Sequence, residues 1–259
     1  MSEQVANPVN QLGRRLRESI EPTGDDLSQL RGVLEECAST LEIVASQLRD
    51  IGLSPTTRLK NTGTIIEKLK RETSLKLSKI HDLAGARIVR DMTLDEQDGV
   101  VSMITEIWPG AKVKDRRIFP THGYRAVHVI VEIDGHFVEV QVRTHYQHAW
   151  AQATESFGDL WGRDIRYGGD PEDPDHAVSD EISMTRREWM SAWKNMSDSF
   201  YELEELENKL ARMAARLPVI MDASERLALE GEVRNLEIEI TETFRHERTT
   251  FEILSRSLR

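Results

Sequence analysis

Four short stretches of this 259-residue chain place cations and carboxylates within a few residues of one another. They are Arg58-x-Lys60 followed by Lys68, Asp82-x-x-Gly85-x-Arg87, His122-Gly123-Tyr124-Arg125 with His128, and Glu139-x-Gln141-x-Arg143-Thr144. These residue types suit phosphate chemistry. A planar guanidinium stacks on a base, an ammonium acts as a point charge, and a carboxylate holds a hard metal ion or receives a hydroxyl proton. The charge distribution matches. Between Arg58 and Arg125 there are 14 Lys+Arg against 9 Asp+Glu, a balance of +5, whereas the remainder carries 20 against 36, or -16. A basic middle between acidic flanks can hold the phosphates of a small ligand or an RNA end; a scattered solvated surface would give the same count. The overall charge of -11 argues against a protein that coats long nucleic acid, because such binding depends on many Lys/Arg neutralising phosphates.

The positioning elements are clearest around Glu139. Tyr124 to Val131 and Phe137 to Arg143 alternate strictly about Asp134-Gly135, a strong hairpin signal. With Asp134 and Gly135 as the turn, Val129 pairs with Val140 and Val131 with Val138 on an apolar face. The same register puts Tyr124, Ala126, His128 and Ile130 on the other face beside Glu139, Gln141 and Arg143. A strand pair with one face open to water would alternate in the same way.

Upstream, residues 10 to 50 read as helix. Leu27, Leu30, Leu34, Cys37, Leu41, Val44 and Leu48 share a face, Thr23 to Asp25 open the helix after Pro22, and Gly52 and Pro55 close it. The stretch from Thr57 to about Lys79 reads as further basic helix. A helix or turn then runs into a short strand over 80 to 89, a helix covers Leu94 to Trp108, Pro109-Gly110 turns the chain, and Lys112, Lys114, Arg116 and Arg117 form a basic loop. Residues 168 to 180 are rich in Gly, Pro and Asp and read as a linker. Two long helices close the chain. One carries Leu203, Leu206, Leu210, Met213 and Leu217 up to Pro218, and the other Leu229, Val233, Leu236, Ile240, Phe244, Phe251, Leu254 and Leu258.

The 39% apolar content is enough for one or two domains. No apolar run reaches the length of a membrane span, and the N-terminus lacks the pattern of a signal peptide, so a cytoplasmic protein without a membrane partner is expected. The single cysteine, Cys37, forms no internal disulfide and leaves a thiolate zinc site without a second ligand. His145 and His148 have metal-ligand spacing but no evident third ligand, and a helical polar face accounts for them.

Taken in order, the four motifs resemble the nucleotidyltransferase-like synthetase domain of RelA/SpoT-type (p)ppGpp synthetases over about residues 50 to 167, in the form of a small, single-domain member. The resemblance implies an α/β (α+β) fold, a mixed sheet flanked by helices, with a C-terminal helical hairpin. The organisation is then an N-terminal helical segment (1–50), the synthetase domain (51–167), a linker loop (168–180) and a C-terminal helical extension (181–259). It implies transfer of the β,γ-pyrophosphate of ATP to the ribose 3'-hydroxyl of GDP or GTP, with Mg2+ as cofactor. Arg58 and Arg87 would sandwich the adenine, and Lys60 and Lys68 would reach the ATP phosphates. Asp82 would hold Mg2+, and Glu139 would act as general base or second metal ligand. Tyr124 would stack on the acceptor base with His128 near its phosphates, while Gln141, Arg143, Arg125, Lys112 and Lys114 would complete the acceptor side. The dipeptide His81-Asp82 lies inside this motif and does not mark a hydrolase, so synthesis alone is expected.

Two departures from the family pattern bear on the acceptor. Trp150-Ala151 leads to Glu155-Ser156 instead of Glu-His, and Arg166-Tyr167-Gly168-Gly169 replaces a Tyr-Lys. The alternative is therefore a toxin, paired with an antitoxin protein, that makes (p)ppApp or pyrophosphorylates the 3' end of tRNA. A nucleotide-binding module without catalysis is the third reading. The resemblance implies homo-oligomers through the C-terminal hairpin; its apolar stripes fit equally a hairpin that covers the core of its own subunit.

Overall fold

The computed structural model describes residues 7–179 and 182–256; at 179, 182, 183 and 246–256 only the backbone is described. They divide into two compact units, Met1–Val89 with Val100–Lys114 and Val127–Val142, and Arg90–Gly99 with Asp115–Ala126 and Arg143–Arg259.

In the first unit, helices α1 (Pro8–Glu18), α2 (Gly24–Asp50) and α3 (Thr62–Arg71) accompany strands β1 (Thr56–Leu59), β2 (Ala84–Arg90), β3 (Lys112–Asp115), β4 (Val127–Ile133) and β5 (His136–Thr144). The strands form one mixed sheet in the order β1-β2-β5-β4-β3, so the expected α/β class holds. The hairpin register is as the alternation requires, with Val129 opposite Val140 and Val131 opposite Val138. Asp134 (φ 50°) and Gly135 (φ 83°) both take the left-handed conformation that a two-residue hairpin turn demands. All four of these valines are fully buried. The opposite face is also covered, since Ala126, His128 and Ile130 are buried; the polar groups there sit in a recess and not on an open sheet.

Three sequence expectations are corrected. Residues 10–50 are two helices and not one, because Pro22 lacks the N–H that would continue α1; the second opens after Pro22 as expected, with Thr23 as N-cap, its side chain accepting from the Asp26 N–H at 3.1 Å. The stretch after Thr57 begins as strand β1, paired antiparallel with β2, before α3 opens at Thr62; a basic sequence without apolar period fits an edge strand as well as a helix. Lys112 and Lys114 lie on β3, the opposite edge strand, exposed throughout. Close packing fixes α1: a Cβ on Gly13 would stand 2.7 Å from the Cβ of Leu77, and Arg17 Nε donates to the Leu69 carbonyl at 3.0 Å.

Helix α4 (Leu94–Ile107) follows β2 in the chain, as the sequence predicts. In the second unit, α5 (His145–Trp161) and α6 (Arg186–Arg216) enclose an aromatic core of Trp150, Phe157, Trp161, Trp189, Trp193 and Phe200. Phe157 stacks on Trp161 at 5.4 Å and meets Trp193 edge-on at 5.1 Å. The buried indoles are satisfied in part by each other's neighbours, Trp150 Nε1 donating to the Trp193 carbonyl (2.9 Å) and Trp193 Nε1 to Thr154 Oγ1 (2.8 Å). Within the stretch expected to be a linker, β6 (Ala177–Ser179) pairs with β7 (Ile182–Thr185). Helix α7 (Ala223–Arg256) follows α6 after a 3-10 turn at Leu217–Val219, giving the expected helical pair. Leu229 and Leu236 are buried on it, whereas Phe244 is exposed; Phe251, Leu254 and Leu258 lie outside the described side chains. Among the described residues, no helix is long and apolar enough to cross a membrane.

Candidate functional site

The first unit assembles one charged cluster. Asp82 precedes β2, Lys60 follows β1 with its N–H on the Leu83 carbonyl (2.8 Å), and Lys68 stands in the last turn of α3. Lys60 Nζ lies 2.5 Å from Asp82 Oδ2 and Lys68 Nζ 2.9 Å from Oδ1. Burial opposes ionisation of Asp82, but the two ammoniums outweigh it and hold the carboxyl below its usual range. Glu139, on β5, is 14% exposed at its side chain. Its Oε1 meets His128 Nδ1 at 2.9 Å and its Oε2 accepts from Gln141 Nε2 at 2.8 Å. Burial raises this carboxyl; the hydrogen bond and charge of His128, the Gln141 amide and the charge of Lys68 more than offset it, bringing the pKa to about 2. Lys68 thus bonds Asp82 and adds its charge to the field that keeps Glu139 ionised.

On the same sheet face Arg58 pairs with Gly85 and Thr56 with Arg87, so the two arginines lie diagonally across a residue without a side chain. A Cβ at Gly85 would find its nearest neighbours, the Glu139 and Arg58 carbonyls, at 3.6 and 3.8 Å. Sequence reasoning set His81 aside, yet its ring packs on Phe137 at 4.6 Å. Burial first, then the charges of Lys114, Lys112 and Lys68, lower its pKa, with Glu139 opposing. Its position beside Asp82 in the sequence was the available signal. No cluster of three His, Cys, Asp or Glu able to hold a metal occurs among the described residues.

The second unit holds the remaining residues. Tyr124 is not in β4, which starts at Val127; it closes a tight turn with its N–H on the Thr121 carbonyl (3.0 Å), made by His122 (φ 56°) and Gly123 (φ 88°). Arg143 Nη2 donates to Tyr124 Oη (2.8 Å), its guanidinium carbon 5.0 Å from the ring centre. Arg125 is buried against α6. It donates to Asp198 Oδ1 (2.5 Å) and Ser197 Oγ (3.2 Å) and covers the Tyr201 ring at 4.5 Å. Its guanidinium therefore anchors the turn. The divergent segment after α5 is legible too. Arg166 donates to the Glu155 carbonyl (2.8 Å) over Gly158, and Gly168 (φ 80°) makes room for His122, whose Nδ1 would stand 2.1 Å from a Cβ there.

Asp82, bracketed by two lysines just before β2, and Glu139, largely buried on β5 beside β2, bring two carboxylates and two ammoniums into one α/β unit. Residues 57–157 match the model of the region found in RelA / SpoT proteins. An uncharacterized protein of Mycobacterium tuberculosis, Rv1366, and one of Mycobacterium bovis, Mb1401, are each 35% identical over 175 residues, 64% of this chain. The chain spans 63% of the length of these relatives. The crystal structure of small alarmone synthetase 1 from Bacillus subtilis superposes with a TM-score of 0.53 at 19% identity, covering 73% of this chain and 99% of that one, so the two share a fold.

Proposed function

We propose that the chain is an ATP-dependent pyrophosphokinase that transfers the β,γ-pyrophosphate of ATP to the ribose 3'-hydroxyl of GDP or GTP. The observation that carries this reading is Asp82 held between Lys60 and Lys68 within the RelA/SpoT region. A bond forms between the acceptor 3'-oxygen and the β-phosphorus, the bond from the α-phosphate oxygen to that phosphorus breaks, and AMP leaves with the electron pair. Lys60 and Lys68 neutralise the moving phosphates once these take Asp82's place as counter-ions. The Arg58 guanidinium has no hydrogen-bond or ion-pair partner among the described residues and stacks with Arg87 about the adenine.

Asp82 and Glu139 fit Mg2+, for both are ionised oxygen donors, and an Mg2+ site takes one or two carboxylates and completes its shell with water and substrate phosphates. Bound there, the ion would supply charge neutralisation on the phosphates and acidify the hydroxyl. A carboxylate with a pKa near 2 is a poor base by itself. Glu139 therefore orients the 3'-hydroxyl by accepting its hydrogen bond and passes the proton on, through His128 or solvent.

The loop before Tyr124 supports a second reading of the acceptor. Phe119, three positions after Arg116 in the sequence, is 84% exposed, an aromatic and a cation on one loop of the kind that suits an RNA 3' end, the substrate of the toxin reading with its antitoxin partner. Incubation with ATP labelled on the γ-phosphate and Mg2+, with GDP, GTP, AMP, ADP, ATP or deacylated tRNA in parallel, tests both. Label in GDP or GTP supports the first and label on tRNA alone the second. No label in any acceptor, with Glu139→Gln behaving as wild type, overturns both.

A further inference from the structure

Arg125 is 6% exposed and lies along one face of α6, where Ser197, Asp198, Tyr201 and Glu204 follow at helical spacing. Its Nε donates to Ser197 Oγ (3.2 Å) and its Nη2 to Asp198 Oδ1 (2.5 Å), with the guanidinium carbon 4.5 Å from the centre of the Tyr201 ring. The remaining nitrogen, Nη1, is buried and has no hydrogen-bond partner among the described residues. Arg125 and Glu204 line the same cavity of about 10 Å³, with Gln147 and Ser197, a polar space of about one water molecule. The turn at Thr121–Tyr124 depends on this arginine. Ser197 Oγ, which accepts from Arg125 Nε, donates to the Gly123 carbonyl, and the Tyr124 N–H closes the turn on the Thr121 carbonyl.

The two carboxylates of α6 near Arg125 differ in setting. Asp198 is 63% exposed at its side chain, so water screens its pairing. Glu204 is 3% exposed and accepts from Thr144 Oγ1, the N-cap of α5, and from Gln147 Nε2 at 3.3 Å. Gln147 is itself bonded to Gln97 of α4 (2.9 Å), and Glu207, one turn along α6, accepts from Tyr146 Oη (3.0 Å), with the charge of Asp91 acting on both. Burial and the Glu207 charge favour a neutral Glu204; its two hydrogen bonds and the Arg125 charge oppose them and leave the pKa at about 7. A carboxylate oxygen accepts more than one hydrogen bond, so Glu204 has capacity left for a donor in the cavity. We propose that Glu204 is a second, proton-controlled counter-ion of Arg125: ionised, it holds Nη1 across the cavity through one bound water and tightens the turn at 121–124; protonated, it leaves Arg125 to Asp198 alone. The device belongs to the second unit and is independent of the pyrophosphokinase reading.

The test compares full-chain wild type, Glu204→Gln and Asp198→Asn by amide hydrogen exchange at pH 5 and pH 8, corrected for the intrinsic rate. The Phe157 amide on α5 serves as the reference for opening of the whole unit. Protection of the Tyr124 amide relative to Phe157 is expected to rise roughly tenfold from pH 5 to pH 8 in wild type, the order of one charge-assisted hydrogen bond. Glu204→Gln, a neutral side chain of the same shape, stays at the pH 5 value, and Asp198→Asn, in which Glu204 is the remaining anion, keeps the rise. In wild type the carboxyl 13C signal of Glu204 and the guanidinium 15N signal of Arg125 titrate together. A flat wild-type profile, a rise that survives Glu204→Gln or is lost in Asp198→Asn, or a Glu204 titration that leaves the Arg125 signal in place overturns the proposal.

Discussion

Lys68 reaches Asp82 from 14 residues away, Nζ to Oδ1 2.9 Å, while Lys60 takes the other carboxylate oxygen. Two ammoniums share one counter-ion, and each needs another when a phosphate or metal claims it. Asp82→Asn removes the shared anion and leaves two like charges facing the phosphates. ATP binding in EDTA is then expected to hold or tighten, whereas Mg2+-dependent transfer falls roughly a hundredfold or more, since one lost electrostatic contact at a reacting phosphate costs about 3 kcal/mol. Calorimetry in EDTA set against turnover in Mg2+ checks it. Weaker ATP binding without metal would mean that Asp82 supports the nucleotide pocket structurally.

Glu139 has a folded pKa of about 2 against 4.5 for an unperturbed glutamate. A carboxyl depressed on folding contributes stability that is fully present above about 4.5 and is lost as the pH falls toward 2. Glu139→Gln removes that dependence. Urea melts from pH 7 to 3 are expected to show the gap between wild type and variant narrowing as the solution becomes more acidic.

Glu204 has the opposite sign. It is buried on α6, accepts from Thr144 Oγ1 and from Gln147 Nε2 (3.3 Å), and burial raises its pKa to about 7 despite those bonds. A carboxyl raised on folding favours the fold at low pH, and its contribution is lost as the pH climbs from about 4.5 through 7. Glu204→Gln mimics the neutral form. The variant is expected to match wild type at pH 5 and to gain ~1–3 kcal/mol relative to it at pH 8; equal thermal melting at both would show that Glu204 stays ionised.

The sequence carried the first unit's centre because two periodicities agreed there. The Asp134-Gly135 turn and the valine alternation leave one register, and that register brings His128, Gln141 and Glu139 together. Edge elements were harder to read. Arg58 and Lys60 sit in or beside a four-residue strand whose pairing with β2 is decided by tertiary contact, and a basic sequence does not distinguish strand from helix there. The aromatic core of the second unit was present as Trp189-x3-Trp193 with Phe200, and as Trp150, Phe157 and Trp161, all at helical spacing. Only contact between α5 and α6 reveals that they form one cluster. Glu204 carried no motif; it gains meaning from Arg125, far earlier in the chain, with which it lines one cavity.

Gly168 and His122 form a coupled pair. At φ 80° a side chain at 168 is strained in itself, and its Cβ would stand 2.1 Å from His122 Nδ1. Gly168→Ala is expected to cost ~1–3 kcal/mol. Combined with His122→Ala it should cost less than the sum, because the collision vanishes and only the backbone term remains. A thermodynamic cycle from denaturant melts measures that difference; strict additivity would show that the ring moves aside freely.

Gly85 separates the demands of the protein from those of a ligand. It lies between Arg58 and Arg87 on the sheet, without a left-handed φ, and a Cβ there would meet nothing nearer than carbonyl oxygens at 3.6 and 3.8 Å, ordinary contact distances. The protein alone does not require glycine at this position, and replacing it by alanine should leave stability within about 0.5 kcal/mol, or raise it slightly by restricting the unfolded chain. A base lying flat between the two guanidiniums would, however, rest on this bare backbone. Gly85→Ala is therefore expected to raise the ATP KM several-fold with thermal stability unchanged, and Gly85→Leu to abolish ATP binding in the folded protein. An unchanged ATP KM in a folded Gly85→Leu variant would move the adenine away from Arg58 and Arg87.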